Sequence, residues 1–235
     1  MHTISRDNEV VAMGLLTLLF LFIIAMIPTA IADSINPGVF PVNSKPFGHT
    51  YGEWSARWWQ WAAQIPSNIN PVTDKTGINC AQNQSGPVWF LAGSSGAPVF
   101  RNCVIPAGKA ILFAPLNSEC STAEDSTLKT EDQLRSCAVN QDTGGDPHVI
   151  VDGVTFQSMQ TYKVQSPLFS FTFPKDNIFG APPGPTQSVS DGWYIMLQPL
   201  SLGKHTIHHY GVVLGNPTLG TQSFASDATY NLVVK

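Results

Sequence analysis

Residues 50–66 read TYGEWSARWWQWAAQIP and hold four of the chain's six tryptophans. Thr50 and Glu53 match the S/T-x-x-E capping box, in which each side chain accepts a hydrogen bond from the backbone N–H of the other residue. Pro66 disfavours helical backbone at the residue before it. The sequence therefore predicts a helix over about 51–64, and we expect the fold to assemble around it.

The predicted helix is amphipathic. At about 3.6 residues per turn, one face carries an apolar stripe formed by Trp54, Trp58, Trp61 and Ile65. A separate polar stripe is formed by Glu53, Arg57, Gln60 and Gln64. Burying three indoles of about 200 Å² each contributes on the order of 15 kcal/mol before entropy, so we expect the apolar stripe to pack against a sheet. Trp59 belongs to neither stripe. It is the ligand-binding candidate, because the alternative interpretation of these tryptophans is a platform for sugar or lipid.

The rest of the chain has the pattern of short strands joined by tight turns, with 19 glycines and 18 prolines spread along it. Asp152-Gly153 between two β-branched runs is typical of a type I′ hairpin. Alternation predicts three further strands with buried faces formed by Phe169, Phe171 and Phe173, by Trp193, Ile195 and Leu197, and by Tyr230, Leu232 and Val234. A second capping box, at Thr130 and Gln133, predicts a short helix to about Ala138.

These elements together predict the fold class. It is mainly β: an antiparallel β-sandwich of jelly-roll or immunoglobulin-like type, with the tryptophan-rich helix packed on it and a short second helix.

The four cysteines are expected to form disulfides. Sequential pairing closes two local loops, so we favour the pairs Cys80 with Cys103 and Cys120 with Cys137, although four cysteines allow three connectivities. A zinc site needs closely spaced ligands, whereas the shortest cysteine spacing here is 17 positions. Disulfides indicate an oxidising, extracytoplasmic compartment.

An apolar run over 10–27 is followed by Ala30 and Ala32, which match the small-x-small rule of signal peptidase. Residues 1–32 are therefore predicted to be a signal peptide, cleaved before Asp33. Because the residues before the run carry no positive excess, a retained N-terminal membrane anchor is the alternative. In both cases 33–235 is predicted to be a single extracytoplasmic domain, and any membrane contact is expected only through 10–32.

Three segments also carry a resemblance: 51–66, the sequence CAQNQSGPVWFLAG at 80–93, and IPAGKAILF at 105–113. With these segments the chain resembles a group of uncharacterised secreted bacterial and archaeal proteins. The resemblance implies secretion and a single domain, over about 50–200. It implies no activity, cofactor or site residue.

Composition and motifs exclude more functions than they indicate. Charged residues make up 12% of the chain and the net charge is −4, so nucleic acid is not expected as a partner. No motif identifies a catalytic residue, a cofactor or a metal site. The acids around the second cysteine pair are interpreted as solvated, with calcium as the alternative: Glu119, Glu124, Asp125, Glu131 and Asp132. In the run over 205–209 the first and last histidines lie about 13 Å apart on one strand face, too far to chelate one metal.

Two functions therefore stay open. The favoured one is a non-catalytic envelope or extracellular binding protein for glycan or another surface component. The alternative is a hydrolase acting on extracellular carbohydrate or peptide, for which Glu53, Glu119 and Asp191 are candidates although each is interpreted as an ordinary surface acid. The two hypotheses differ in whether Glu119, Asp191, His148 or His209 meets Trp59 in one cleft.

Overall fold

The computed structural model describes residues 36 and 38–235, so the predicted leader, 1–32, lies outside the described residues. Ser34–Lys235 is one compact unit. Over the described ranges, no helix combines the length and apolar composition needed to cross a membrane. The helices are α1 (Tyr51–Ala63) and α2 (Glu131–Gln141). The strands are β1 (Val88–Phe90), β2 (Val99–Ile105), β3 (Ala110–Ser121), β4 (Asp146–Val151), β5 (Val154–Thr155), β6 (Lys163–Gln165), β7 (Phe169–Phe173), β8 (Gly184–Leu197), β9 (Gly203–Val213) and β10 (Phe224–Val234).

The strands form two mixed five-stranded sheets. Sheet A has the order β1-β3-β8-β6, with β7 also paired to β8, and sheet B has the order β2-β10-β9-β4-β5. The inner pairs are antiparallel, as predicted, but the edge strands β1 and β2 run parallel to β3 and β10. The prediction of a purely antiparallel sandwich was wrong at these two edges. The chain passes from β1 through sheet B before it returns to sheet A at β3, and alternation within a strand does not specify such a partner.

Sheet A is the middle of three layers. One of its faces packs on α1 through Phe90, Leu112, Phe171, Tyr194 and Met196, and the other packs on sheet B through Trp89, Ile111, Phe113, Ile195 and Leu197. Burial on both faces explains why β3 and β8 are buried at nearly every position. Strands β2 and β10, whose outer face meets solvent, alternate between buried and exposed residues.

Helix α1 has the predicted cap and the predicted buried stripe. Glu53 N donates to Thr50 Oγ1 at 3.2 Å, and Thr50 N donates to Glu53 Oε2 at 2.7 Å. The indole N–H groups of Trp54, Trp58 and Trp61 each donate to a backbone carbonyl at 2.8–2.9 Å. The stripe is therefore buried with its polar atoms satisfied, which makes α1 the centre of an aromatic cluster.

Both favoured disulfides, Cys80–Cys103 and Cys120–Cys137, are present. The second joins β3 to α2. Two disulfides favour an oxidising, extracytoplasmic environment. The hairpin turn is also as predicted, with φ of 49° at Asp152 and 81° at Gly153. Helix α2 begins at the predicted cap but ends at Gln141 rather than near Ala138.

Candidate functional site

A cleft lies beside the edge of β3 that faces away from β8. Strand β1 pairs only with Ala110–Leu112 of β3 and leaves the rest of that edge uncovered by β1. The cleft has a volume of about 670 Å³ and is walled by α1, the end of α2 and the segment that leads into β10. Its lining residues are Trp59, Asn117, Ser118, Glu119, Glu124, Cys137, Asn140, Gln141, Asp142, Phe179 and 219–224.

Strand β3 sends neighbouring side chains to opposite layers where it borders the cleft. Its register against β8 shifts between Phe113 and Leu116. Beyond this bulge, Asn117 Nδ2 donates to the hydroxyl of Tyr194 at 3.0 Å, on the α1 side of sheet A. The next residue, Ser118, donates through Oγ to Ala138 O of α2 at 2.8 Å. At the site, consecutive residues of β3 thus contact the α1 side of sheet A and helix α2.

Glu119 is the buried acid on β3. It is 5% exposed, its Oε2 accepts a hydrogen bond from Ser188 Oγ, and its Oε1 makes no hydrogen bond of standard geometry among the described residues. Burial raises the pKa of Glu119 well above its ordinary value, and the neighbouring Glu124 raises it further. The interpretation of Glu119 as a surface acid was wrong, because α1 and α2 cover both faces of β3 at this point.

Asp142, directly after α2, is the second buried acid of the cleft. It is 3% exposed and its Oδ2 has no hydrogen-bond partner among the described residues. Burial and then the charge of Asp191 raise the pKa of Asp142 to about 8, although Lys163 opposes the shift. Asp142 carried no sequence signal of a site, since an aspartate before Thr143-Gly144-Gly145 is typical of an ordinary turn.

Asp191 lies behind this site rather than in it. It is 2% exposed, so its interpretation as a surface acid was also wrong. Lys163 Nζ lies 2.9 Å from Asp191 Oδ1 and 4.5 Å from the centre of the Trp193 ring. Asp191 therefore has a cationic partner even though Oδ1 forms no hydrogen bond of standard angle.

Aromatic side chains form the remaining wall. Trp59 is 8% exposed, and its ring centre lies 6.0 Å from that of Phe179. Its Nε1 makes no hydrogen bond of standard geometry with the described residues, although it lies near the Tyr194 hydroxyl and opposes the rise that burial causes in the pKa of Tyr194. Phe224, at the start of β10, is half-exposed. A smaller cavity of about 190 Å³ adjoins the cleft and shares Trp59, Asn117, Phe179 and Phe224 with it. Neither Phe179 nor Phe224 carried a sequence signal: Phe179 lies in the loop between β7 and β8, and Phe224 precedes the alternating residues that predicted the last strand.

Of the side chains that would distinguish the two functional hypotheses, Glu119 is the one that lines the cleft with Trp59. His148 lies on the outer face of sheet B, where it pairs with Asp146 at 3.0 Å. His209 is fully buried, and burial lowers its pKa to about 3. Glu53 is occupied in the cap of α1.

The cleft can supply hydrogen bonds and proton transfer. A protonated carboxyl group both donates and accepts, and it can act as a general acid. Among residues 36 and 38–235, no group of three or more His, Cys, Asp or Glu side chains could hold a metal ion. No protein-family model, curated protein or solved structure matches the chain.

Proposed function

We propose that this protein is a non-catalytic extracytoplasmic binding protein that holds a glycan in the cleft beside β3. The observation that carries the proposal is that Trp59 and the buried Glu119 line the same cleft. A volume of about 670 Å³ is within the range of small-molecule sites. The protein is either released or held at the membrane through 10–32.

The chemistry of the walls suits a saccharide. A sugar ring has an apolar C–H face, which packs on aromatic rings, and a rim of hydroxyl groups, which need donors and acceptors. The rings of Trp59, Phe179 and Phe224 provide the first kind of surface. Asn117 and Gln141 provide amide groups, and the buried carboxyl groups add donors and acceptors without a full charge.

The proposal includes the finer fold class, a jelly-roll or immunoglobulin-like sandwich. The antiparallel inner strands of both sheets support it, and the parallel pairs are confined to the edge strands β1 and β2. The function depends on the cleft and not on this assignment.

A glycan-array screen followed by calorimetric titration tests the function. Trp59→Phe keeps a ring but removes the indole N–H, and we expect it to weaken binding about tenfold, the equivalent of about 1.4 kcal/mol. Trp89→Phe is the matched control. Its indole is equally buried and also lacks a hydrogen bond among the described residues, but it lies between the two sheets. Binding that Trp59→Phe and Trp89→Phe affect equally, or no binding to any glycan, would overturn the proposal.

A hydrolase acting on carbohydrate or peptide is the second candidate, and one observation favours it. A general acid must be protonated at the working pH, and burial raises the pKa of Glu119 in the direction that this role needs. If the protein turns over a polysaccharide or a peptide and Glu119→Gln abolishes turnover while binding persists, the enzyme replaces the binding protein.

A further inference from the structure

The ionisable side chains that line the cleft are all acidic. Glu119, Glu124 and Asp142 line it, and no lysine, arginine or histidine occurs among the described residues that line it. The cation whose charge opposes the rise that burial causes in the pKa of Asp142 is Lys163, and this lysine is paired with Asp191 behind the site. A bound ligand therefore meets carboxyl groups without meeting a protein cation.

Buried polar atoms in the lining side chains lack partners. Glu119 and Asp142 are 5% and 3% exposed. Asp142 Oδ2 has no hydrogen-bond partner among the described residues, and Glu119 Oε1, which makes no hydrogen bond of standard geometry, has the carboxyl group of Glu124 as its neighbour. A buried acceptor without a hydrogen bond destabilises the folded protein, and the destabilisation is larger when the group is charged. A donor on the ligand would remove this destabilisation, and a cationic donor would remove most of it.

The aromatic wall favours the same kind of ligand. A cation is attracted to the face of an aromatic ring, most strongly to that of tryptophan. Trp59, Phe179 and Phe224 line the cleft together with the acids. An ammonium group in the cleft would thus have rings and carboxyl oxygens as neighbours.

We infer that the glycan bound in this cleft is an amino sugar, a saccharide whose units carry a protonated primary amine. The inference rests on the proposed function, since it names the class of saccharide. The ammonium group donates to the carboxyl oxygens of Glu119 and Asp142, while the C–H face of the sugar packs on the aromatic wall.

Proton release accompanies this binding. Burial raises the pKa of Asp142 to about 8, so this acid is mainly protonated in the free cleft at neutral pH, and burial shifts the pKa of Glu119 in the same direction. The ammonium of the ligand favours the carboxylate form, so a carboxyl proton passes to the buffer and an ammonium–carboxylate pair remains. The charged groups that face these acids are Glu124 beside Glu119, and Asp191 and Lys163 beside Asp142.

The test compares two ligands with one backbone: a glucosamine tetramer and its fully N-acetylated counterpart, which is neutral. Calorimetric titrations at about pH 5.5, well below the pKa of about 8 of an ordinary α-amino group so that the sugar amines are protonated, use two buffers with different ionisation enthalpies. We expect the glucosamine tetramer to bind at least about tenfold more tightly and to release protons. The acetylated tetramer should release none.

Variants assign the preference to the acids. Glu119→Gln and Asp142→Asn keep the side-chain shape, and each should lower the preference for the amine several-fold. The control is Asp176→Asn, an exposed acid outside the cleft lining, which should change nothing. The comparison of the two tetramers on the unmodified protein does not depend on whether these variants fold.

The outcomes separate this inference from the proposed function. Equal binding of both tetramers, or tighter binding of the acetylated one, overturns the amino-sugar inference and leaves a glycan-binding protein. A preference that survives in both Glu119→Gln and Asp142→Asn also overturns it. If neither tetramer nor any other glycan binds, the proposed function falls with it.

Discussion

At one end of sheet A the buried side chains are apolar, and at the other end most of them are polar or ionisable. Leu112, Phe113, Ile195 and Met196 fill the first end and are completely buried. The second end holds Ser118, Glu119, Ser121, Ser188, Ser190 and Asp191, of which none is more than 7% exposed. The same two strands, β3 and β8, supply both ends.

The two ends of sheet A contribute differently to the stability of the fold. Burial of the apolar end lowers the free energy of the folded state at about 25 cal/mol per Å². Burial of carboxyl groups raises it unless each is paired or stays protonated, and apolar residues of similar volume often stabilise a protein more. The buried acids at the polar end therefore make the folded protein less stable than apolar residues would, and such destabilising groups are typical of binding and catalytic sites.

The largest expected effect is in the aromatic cluster of α1, on one face of sheet A. Trp58 is 3% exposed, and its Nε1 donates to Leu91 O at 2.9 Å. Trp58→Ala should lower the free energy of unfolding by about 3–5 kcal/mol, because it leaves a cavity and an unpaired carbonyl. Chemical denaturation measures this, with the exposed Gln64→Ala as control, expected to change stability by less than about 0.5 kcal/mol. A Trp58→Ala protein that unfolds like its parent would contradict burial of the stripe.

An intermediate effect is expected where the polar end is paired. Lys163→Met keeps the apolar stem near Trp193 but leaves Asp191 without its cation. The expected loss at about pH 7 is about 1–3 kcal/mol, less than for a fully buried pair because the Lys163 side chain is 28% exposed. Adding Asp191→Asn should recover most of the loss, as a double-mutant cycle would show. If the double variant is as unstable as Lys163→Met, lost packing and not unpaired charge is the cause.

The third effect is a dependence of stability on pH, and it concerns Asp142. Over a single pH unit, the expected change in the free energy of unfolding is the smallest of the three. Its pKa is raised from 3.8 to about 8 by burial, so the folded protein holds this proton more tightly than the unfolded chain does. Stability from this group is fully present below its ordinary pKa and is lost as pH rises toward the folded value. Compared with Asp142→Asn, the parent should lose up to about 1.4 kcal/mol per pH unit within that window.

Urea denaturation of both proteins at several pH values between about 4 and 8 measures the difference. Asp176→Asn is again the exposed control and should follow the parent. Parallel pH profiles of the parent and Asp142→Asn would show that Asp142 does not hold its proton on folding.

The features predicted correctly from the sequence are those that neighbouring residues determine. The ends of α1 follow from Thr50, Glu53 and Pro66, and its buried stripe follows from helical spacing. The hairpin turn at Asp152-Gly153 needs positive φ at neighbouring residues, a requirement that two residues can display. The two disulfides follow from short cysteine spacings.

The site escaped prediction because distant segments create it. Glu119 points away from α2 and is buried on the α1 side of sheet A, beside Ser188 of β8. Asp142 is buried where α2 docks on sheet A. Neither fact is visible in the residues beside them. One signal was present: the predicted Cys120–Cys137 disulfide already places α2 against β3 one residue from Glu119. The parallel edge strands were missed for a related reason, since alternation shows which face is buried but not which strand lies alongside.

The segment between β9 and β10 forms one wall of the cleft although both strands belong to sheet B. It keeps its shape through its own hydrogen bonds, from Gly215 N to Ser223 Oγ at 2.9 Å and from Asn216 N to Thr221 Oγ1 at 3.0 Å. Surface connections of this kind tolerate insertions and substitutions at little thermodynamic cost. If the cleft binds a ligand as proposed, substitutions and insertions in this segment would change its specificity without altering the buried acids on β3 and after α2.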